Sequence, residues 1–117
     1  MTHLHPTGDQ LVEMLAALSN PLRIRIIATL TTGGRDYVSH LAREIGVSRP
    51  LVHMHLQRLE AVGLISGSLE LSADGKAMKY FEVTDFALQL TPTTLAEAAK
   101  TLTITDPEKG PSRKERS

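Results

Sequence analysis

Three polar side chains recur at helical spacing in the middle of the chain, where Arg49, His53 and Gln57 stand at positions i, i+4 and i+8. In an α-helix this spacing places all three on one side. Their donors and acceptors suit the edges of base pairs in a DNA major groove. The pattern indicates a helix face that contacts bases, and the alternative is an ordinary solvated helix face.

Other candidates for contact with DNA lie before, within and after this triplet. Ser48 can cap the helix and meet a phosphate at its N-terminus, and Pro50 falls in the first turn, where its missing N–H costs little. His55 has two roles open to it, packing in the core or reaching a phosphate. Lys76 and Lys79 in a later hairpin can contact phosphates or a minor groove, although the hairpin also carries three acidic residues. The full predicted set is Ser48, Arg49, Pro50, His53, His55, Gln57, Arg58, Lys76 and Lys79.

Residue types and spacing argue against other chemistries. The chain has no cysteine, which removes disulfides, thiolate metal sites and catalytic thiols. His3 and His5 have no third ligand fixed by spacing, while His53 and His55 point roughly 200° apart on a helix and cannot share an ion. There is no recognisable nucleophile–base pair and no glycine-rich phosphate loop. We expect no catalytic residue, no metal site and no cofactor, and therefore no enzyme.

Composition narrows the class of protein further. The 117 residues suit one domain, and the 3% aromatic content argues against stacking platforms for single-stranded nucleic acid. Thirteen basic and thirteen acidic residues give zero net charge, so any attraction to DNA depends on where the charges lie. The apolar runs are too short for a transmembrane helix, and the N-terminus does not resemble a secretory signal. We expect a cytoplasmic protein with no membrane partner.

Apolar periodicity and capping residues predict four helices in the first half of the chain. The first begins near Asp9, and the second begins at Asn20-Pro21 and ends in the glycines at 33–34. The second helix buries Leu22, Ile26, Ile27 and Leu30, with Arg23 and Arg25 elsewhere on its circumference. A short third helix, about Tyr37 to Ile45, stops at Gly46, and the fourth covers residues 48–63.

After Gly63 the spacing of the apolar residues changes from the helical period to a period of two residues, which is typical of a β-strand. Ile65, Gly67, Leu69 and Leu71 share one face of a strand, with polar residues on the other. Asp74-Gly75 is a hairpin turn signal, and the returning strand has Phe81 and Val83 inward. A last helix starts near Pro92, capped by Thr91 or Thr93. Residues 1–8 are predicted to be a flexible leader, 9–104 one domain, and 105–117 a disordered tail with a basic cluster at Arg113, Lys114 and Arg116.

A short helix, a turn containing glycine and a second helix capped by serine form a helix-turn-helix pattern. The hairpin after them, residues 64–84, supplies a wing. We therefore predict a mainly α fold with a small β-hairpin, a winged helix-turn-helix of order α-α-α-α-β-β-α. Its recognition helix, residues 48–63, would enter the major groove of double-stranded DNA.

Two stretches of this chain resemble the ArsR-type winged-helix repressors. Leu18-Ser19-Asn20-Pro21-Leu22-Arg23-Ile24-Arg25-Ile26-Ile27 is similar to that family's opening motif, and Leu41-Ala42-Arg43-Glu44-Ile45-Gly46-Val47-Ser48 is similar to its helix-turn-helix. The likeness continues through His55-Leu56-Gln57-Arg58-Leu59 and Ala61-Val62-Gly63-Leu64-Ile65, so that it spans roughly residues 11–83.

The resemblance implies a homodimeric regulator of transcription that acts as a repressor, with the first and last helices at the dimer interface. The residues compatible with that interface are Leu11, Leu15, Leu95, Ala98, Ala99 and Leu102. The chain departs from metal-sensing members, because Tyr37-Val38-Ser39-His40 stands where they carry a Cys-x-Cys pair. Any effector would be a small molecule or a partner protein.

A second class of function remains open at this point. Winged-helix domains also serve as protein–protein interaction modules, and zero net charge fits that use. Met54 favours it, whereas the polar residues of the fourth helix favour DNA.

Overall fold

The computed structural model describes residues 5–103, which form five α-helices and a three-stranded antiparallel sheet. This is the predicted winged helix-turn-helix fold with one additional short strand. In chain order the elements are α1 (Gly8–Leu18), α2 (Pro21–Gly33), β1 (Asp36–Tyr37), α3 (Val38–Ile45), α4 (Arg49–Ala61), β2 (Ile65–Leu71), β3 (Ala77–Val83) and α5 (Pro92–Ala99).

Local capping chemistry sets where the helices begin. The Asn20 side chain accepts hydrogen bonds from the backbone N–H groups of Leu22 (2.8 Å) and Arg23 (3.2 Å), which fixes the start of α2 as predicted. Thr91 caps α5 in the same way. For α1 the cap is Thr7, not a residue near Asp9, because Thr7 and Gln10 form a reciprocal capping box. The helix therefore begins one residue earlier than predicted.

The sheet has the strand order β1-β3-β2, so β2 is an edge strand. Strands β2 and β3 pair from Ile65↔Val83 to Leu71↔Ala77, around a turn in which Gly75 has φ 86°. The short strand β1 pairs with β3 and was not predicted, because two residues are too few to show an alternating pattern. Its presence moves the start of α3 from Tyr37 to Val38.

One core joins the helices to the base of the sheet. Its fully buried side chains are Ile26, Leu41, Val52, Leu56, Leu59, Leu64, Ile65 and Phe81. The apolar face of β2 belongs to this core only as far as the Gly67–Phe81 pair. Leu69 and Leu71 continue that face beyond the core and are 72% and 75% exposed.

The prediction for Arg23 is wrong, since it lies on the buried side of α2 and is only 9% exposed. It precedes Ile26 by three residues and Leu30 by seven, so helical spacing puts it on the same stripe. That spacing was the signal in the sequence, and the charge of arginine obscured it.

Residues 1–4 of the predicted leader and the whole predicted tail, 105–117, lie outside residues 5–103, as do His3 and the basic cluster at 113–116. Thr7 and Gly8, assigned to the leader, belong to the start of α1. Among the helices of residues 5–103, none is long and apolar enough to cross a membrane.

Candidate nucleic-acid interface

The turn between α3 and α4 fixes the position of the candidate interface. Gly46 adopts a left-handed conformation (φ 84°) and ends α3, with the N–H groups of Gly46 and Val47 both donating to the Ala42 carbonyl at 2.8 and 3.1 Å. The Ser48 hydroxyl then accepts a hydrogen bond from Leu51 N at 3.3 Å and starts α4. Because α3 and α4 both pack on the core, the face of α4 turned away from it is fixed in direction.

Helix α4 has one buried face and one polar face. Val52, Leu56 and Leu59 are fully buried, whereas Arg49, His53 and Gln57 are all exposed. Their side chains have no hydrogen bond or ion pair to any other residue in the range 5–103. The structure thus brings the predicted triplet together on one free, hydrogen-bonding surface. The remaining exposed residues of this helix that were predicted as contacts, Pro50 and Arg58, adjoin it.

His55 lies on the other side of α4, inside the protein, and is 4% exposed. Its Nδ1 is 3.3 Å from Nη1 of the buried Arg23. Burial lowers the pKa of His55, and the positive charges of Arg23 and Arg58 lower it further. Of the two roles left open for His55, the structure supports packing, and His55 is not part of the exposed polar face.

The two lysines of the wing differ in whether their ammonium groups have a partner. Lys76, in the turn, is exposed, and its ammonium has no partner within residues 5–103. Lys79 lies back along the sheet, where its Nζ is 3.3 Å from Oε1 of Glu60 on α4 and 5.2 Å from the centroid of the Phe81 ring. A Cβ at Gly67 would come within 2.5 Å of Lys79 Cε, so a side chain at this position would require Lys79 to move.

The opposite face of the sheet carries a second set of contacts that the sequence pattern did not predict. Arg35 donates two hydrogen bonds to Glu70, one of them from Nη2 at 2.6 Å, and its guanidinium stacks 4.8 Å from the centroid of Tyr80. The Tyr37 and Tyr80 rings meet edge to face with centroids 5.5 Å apart. These hydrogen bonds hold the pKa of Glu70 below its ordinary value, so the charge of this carboxylate is compensated by Arg35.

The residues predicted for a dimer interface differ in their exposure to solvent. Leu95, Ala99 and Leu102 are exposed, with Leu95 and Leu102 both at 46%. Leu15 and Ala98 are half-buried, while Leu11 is 7% exposed and packs within the chain. Leu90 and Val12, at 51% and 56% exposed, add apolar surface that the sequence pattern did not single out.

Helix α5 approaches the start of α1 closely, and the residues just after α5 form polar contacts with it. The backbone N–H of Gly8 donates to Thr101 Oγ1 at 2.7 Å, and Asp9 accepts from Thr103 N at 3.0 Å. A Cβ at Gly8 would lie 2.3 Å from the carbonyl oxygen of Ala98. A cavity of about 660 Å³ opens beside this contact, between α1, residues 87–89 and α5.

The structure offers no alternative metal centre in the part of the chain that it describes. Within residues 5–103 there is no group of three or more His, Asp or Glu side chains that could hold a metal ion. His40 forms ion-pair contacts with two carboxylates, with Nδ1 2.5 Å from Asp36 and Nε2 3.7 Å from Glu44.

Comparison with known proteins bears on the same region. The family model described as a helix-turn-helix domain matches residues 18–67, from the end of α1 to the first residues of β2. An uncharacterised HTH-type transcriptional regulator of Methanocaldococcus jannaschii is 35% identical over 75 residues, which covers 64% of this chain and 77% of that protein.

Solved structures of the same fold are more distant in sequence. A transcriptional regulator homologue from Pyrococcus horikoshii OT3 aligns with a TM-score of 0.54 and 20% identity, covering 80% of this chain and 86% of that one. The transcriptional repressor BigR from Xylella fastidiosa aligns with a TM-score of 0.54 and 18% identity over 80% of each chain. At these identities the likeness establishes the fold alone.

Proposed function

Because this chain belongs to the HTH-type transcriptional regulators, we propose that it is an ArsR-type homodimeric repressor that binds double-stranded DNA through α4. The observation that carries this proposal is the free polar face of that helix. Arg49, His53 and Gln57 have no partner within residues 5–103, although the opposite face of the same helix is fully buried. A rigidly mounted helix with unsatisfied donors and acceptors is suited to base readout.

The side chains of this face match the chemistry of a major groove. The arginine can donate two hydrogen bonds to guanine, and the glutamine can pair in the same way with adenine. Arg49 is the first residue of α4, and recognition helices contact base edges mainly with their N-terminal residues. Ser48 and the first amides of the helix, with Arg58, would meet the phosphates on either side of the groove.

The wing supplies a further backbone contact in this proposal. Lys76 is the stronger candidate, because its ammonium is free in the part of the chain that the structure describes. Lys79 would contact a phosphate only at the expense of its ion pair with Glu60. The zero net charge of the chain makes each such cation important, because few others share the phosphate contacts.

Dimerisation through α1 and α5 completes the proposal. Leu95, Ala99 and Leu102 leave an apolar surface exposed on and just after α5, and a second copy would cover it. One recognition helix spans only a few base pairs, so a two-fold dimer would bind a pseudo-palindrome with half-sites about one helical turn apart. Repression rests on the resemblance to ArsR-type proteins, and a small-molecule or protein effector stays part of the proposal.

A protein–protein interaction module is the competing function, and the 39% exposure of Met54 on α4 favours it. Selection of bound duplexes from random DNA separates the two. We expect enrichment of an inverted repeat, and the same protein must then shift a duplex carrying that repeat. Failure to enrich any sequence, with binding no stronger than to scrambled DNA, would favour the interaction module.

A further inference from the structure

Two leucines near the tip of the wing are the most exposed large hydrophobic side chains in residues 5–103. Leu69 is 72% and Leu71 is 75% exposed. In the register of the hairpin Leu69 lies opposite Lys79 and Leu71 opposite Ala77. Opposed residues of an antiparallel pair share a side of the sheet, so these four residues form one surface, here called the leucine face.

The acidic residues of the wing strands are all on the other side of the sheet. Glu70 pairs with Met78, and Glu82 pairs with Ser66, so both carboxylates alternate away from the leucine face. In the turn, the Asp74 carboxylate is bound by the Ser72 hydroxyl and by the backbone N–H of Lys76. The leucine face is therefore apolar apart from Lys79, whose ammonium is paired with Glu60 of α4, and the acidic residues of the hairpin itself are turned away or engaged.

The leucine face is continuous with the exposed stripe of α4. Glu60 follows Gln57 by three residues and His53 by seven, which places it on the same side of the helix. Its Oε1 is 3.3 Å from Nζ of Lys79, a member of the leucine face. Its other oxygen lies 3.1 Å from the Cβ position of Gly67. The proposed base-reading surface thus passes directly into the wing.

We propose that the leucine face contacts DNA by apolar packing, with Leu69 and Leu71 seated in the minor groove next to the major groove that α4 occupies. This inference rests on the proposed function. Proteins that enter the minor groove commonly use leucine and other apolar side chains against base and sugar surfaces. An apolar contact also gives a chain of zero net charge affinity that does not depend on phosphate neutralisation.

The test is fluorescence anisotropy with a labelled duplex carrying the repeat recovered by selection. The double variant Leu69→Ser/Leu71→Ser is compared with Ile24→Ser, which removes an apolar side chain of 50% exposure on α2. We expect the double variant to bind about tenfold more weakly, with an unchanged salt slope because no cation is removed. The control variant is expected to bind like the wild type.

Two additional measurements test where the leucines bind and whether the double variant is still folded. Netropsin, which occupies the minor groove, is expected to weaken binding of the wild type more than binding of the double variant. Thermal unfolding of the double variant is expected to match the wild type, because both side chains are largely in solvent.

Unchanged affinity of the double variant, or equal sensitivity of both proteins to netropsin, would overturn the inference. So would a fall in the sedimentation coefficient of the DNA-free double variant. That result would assign the leucine face, together with the edge strand β2, to contact between copies of the chain. If Arg49→Ala abolishes specific binding while the leucine variant does not weaken it, only this inference fails. If the wild type binds no duplex, the proposed function fails and this inference with it.

Discussion

At the scale of single residues, His55 and Arg23 form a buried polar contact directly behind the exposed face of α4. Their nitrogens are 3.3 Å apart, and Nε of Arg23 has no hydrogen-bond partner within residues 5–103. Among the residues that the structure describes, no carboxylate forms an ion pair with Arg23. A proton on His55 would therefore add a second positive charge to a buried site. This contact, in which Nδ1 faces an arginine donor, favours the neutral form of His55.

This contact predicts a loss of stability on mild acidification. The pKa of His55 is lowered in the folded protein from its ordinary value of 6.5. Below pH 6.5 His55 is protonated to a greater extent in the unfolded chain than in the folded protein. The free energy of unfolding therefore decreases as the pH falls toward the pKa of His55 in the folded protein. Thermal melts between about pH 7.5 and pH 5 should show a falling midpoint.

The variant His55→Gln should reduce that pH dependence, and His53→Gln is the matched control because His53 is on the same helix and exposed. A wild-type midpoint that does not change over this range, or equal effects of the two variants, would contradict the account. The sequence pattern left both roles of His55 open, since its spacing from Leu56 and Leu59 does not reveal the arginine that reaches it from α2.

At the scale of elements, the positions of α1 and α5 depend on Gly8. A side chain there would meet the Ala98 carbonyl oxygen at 2.3 Å, and a backbone atom cannot move aside cheaply. Gly8→Ala should separate α5 from α1 and destabilise the protein by roughly 1–3 kcal/mol, the usual cost of overpacking.

Thermal unfolding measures this loss, and limited proteolysis near residues 100–103 should be faster in the variant. Gly33→Ala is the control, because a Cβ at Gly33 meets nothing within 4 Å and its backbone needs no positive φ. A Gly8→Ala protein as stable and as resistant as Gly33→Ala would show that α5 does not depend on this close approach.

Element boundaries followed from the sequence where local chemistry decides them. Asn20-Pro21, Gly46, Ser48 and Gly75 act through their own caps and turns, and each was identified from residue type alone. Strand β1 and the Lys79–Glu60 contact could not be predicted in this way. Both depend on which distant segments meet, since β1 exists only by pairing with β3.

At the scale of the whole molecule, the apolar surface around α5 predicts a homodimer. Leu95→Asp would place a charge in that surface and should give a monomer in sedimentation equilibrium at micromolar concentration, with weaker binding to an inverted repeat. Ile24→Asp, at similar exposure on α2, should remain a dimer.

A wild-type protein that is monomeric at these concentrations, and that protects only one half-site, would contradict the dimer. The predicted set includes three exposed residues, Leu95, Ala99 and Leu102, but also Leu11, which the structure packs inside the chain. The sequence of an apolar helix stripe does not indicate whether that stripe packs inside its own chain or against a partner. The packing of α1 on α5 in the structure distinguishes the buried residues of the stripe from the exposed ones.

The central claim is that the free face of α4 reads base pairs, and Arg49→Ala tests it most directly. Salt titrations of binding to the selected repeat and to a scrambled duplex give both affinity and specificity. We expect Arg49→Ala to cost about 1–3 kcal/mol on the selected repeat and to lower the ratio of specific to scrambled affinity. Lys76→Ala is the control. It should weaken binding to both duplexes equally and reduce the slope of log affinity against log salt concentration by about one. An unchanged ratio for Arg49→Ala would contradict base readout by α4.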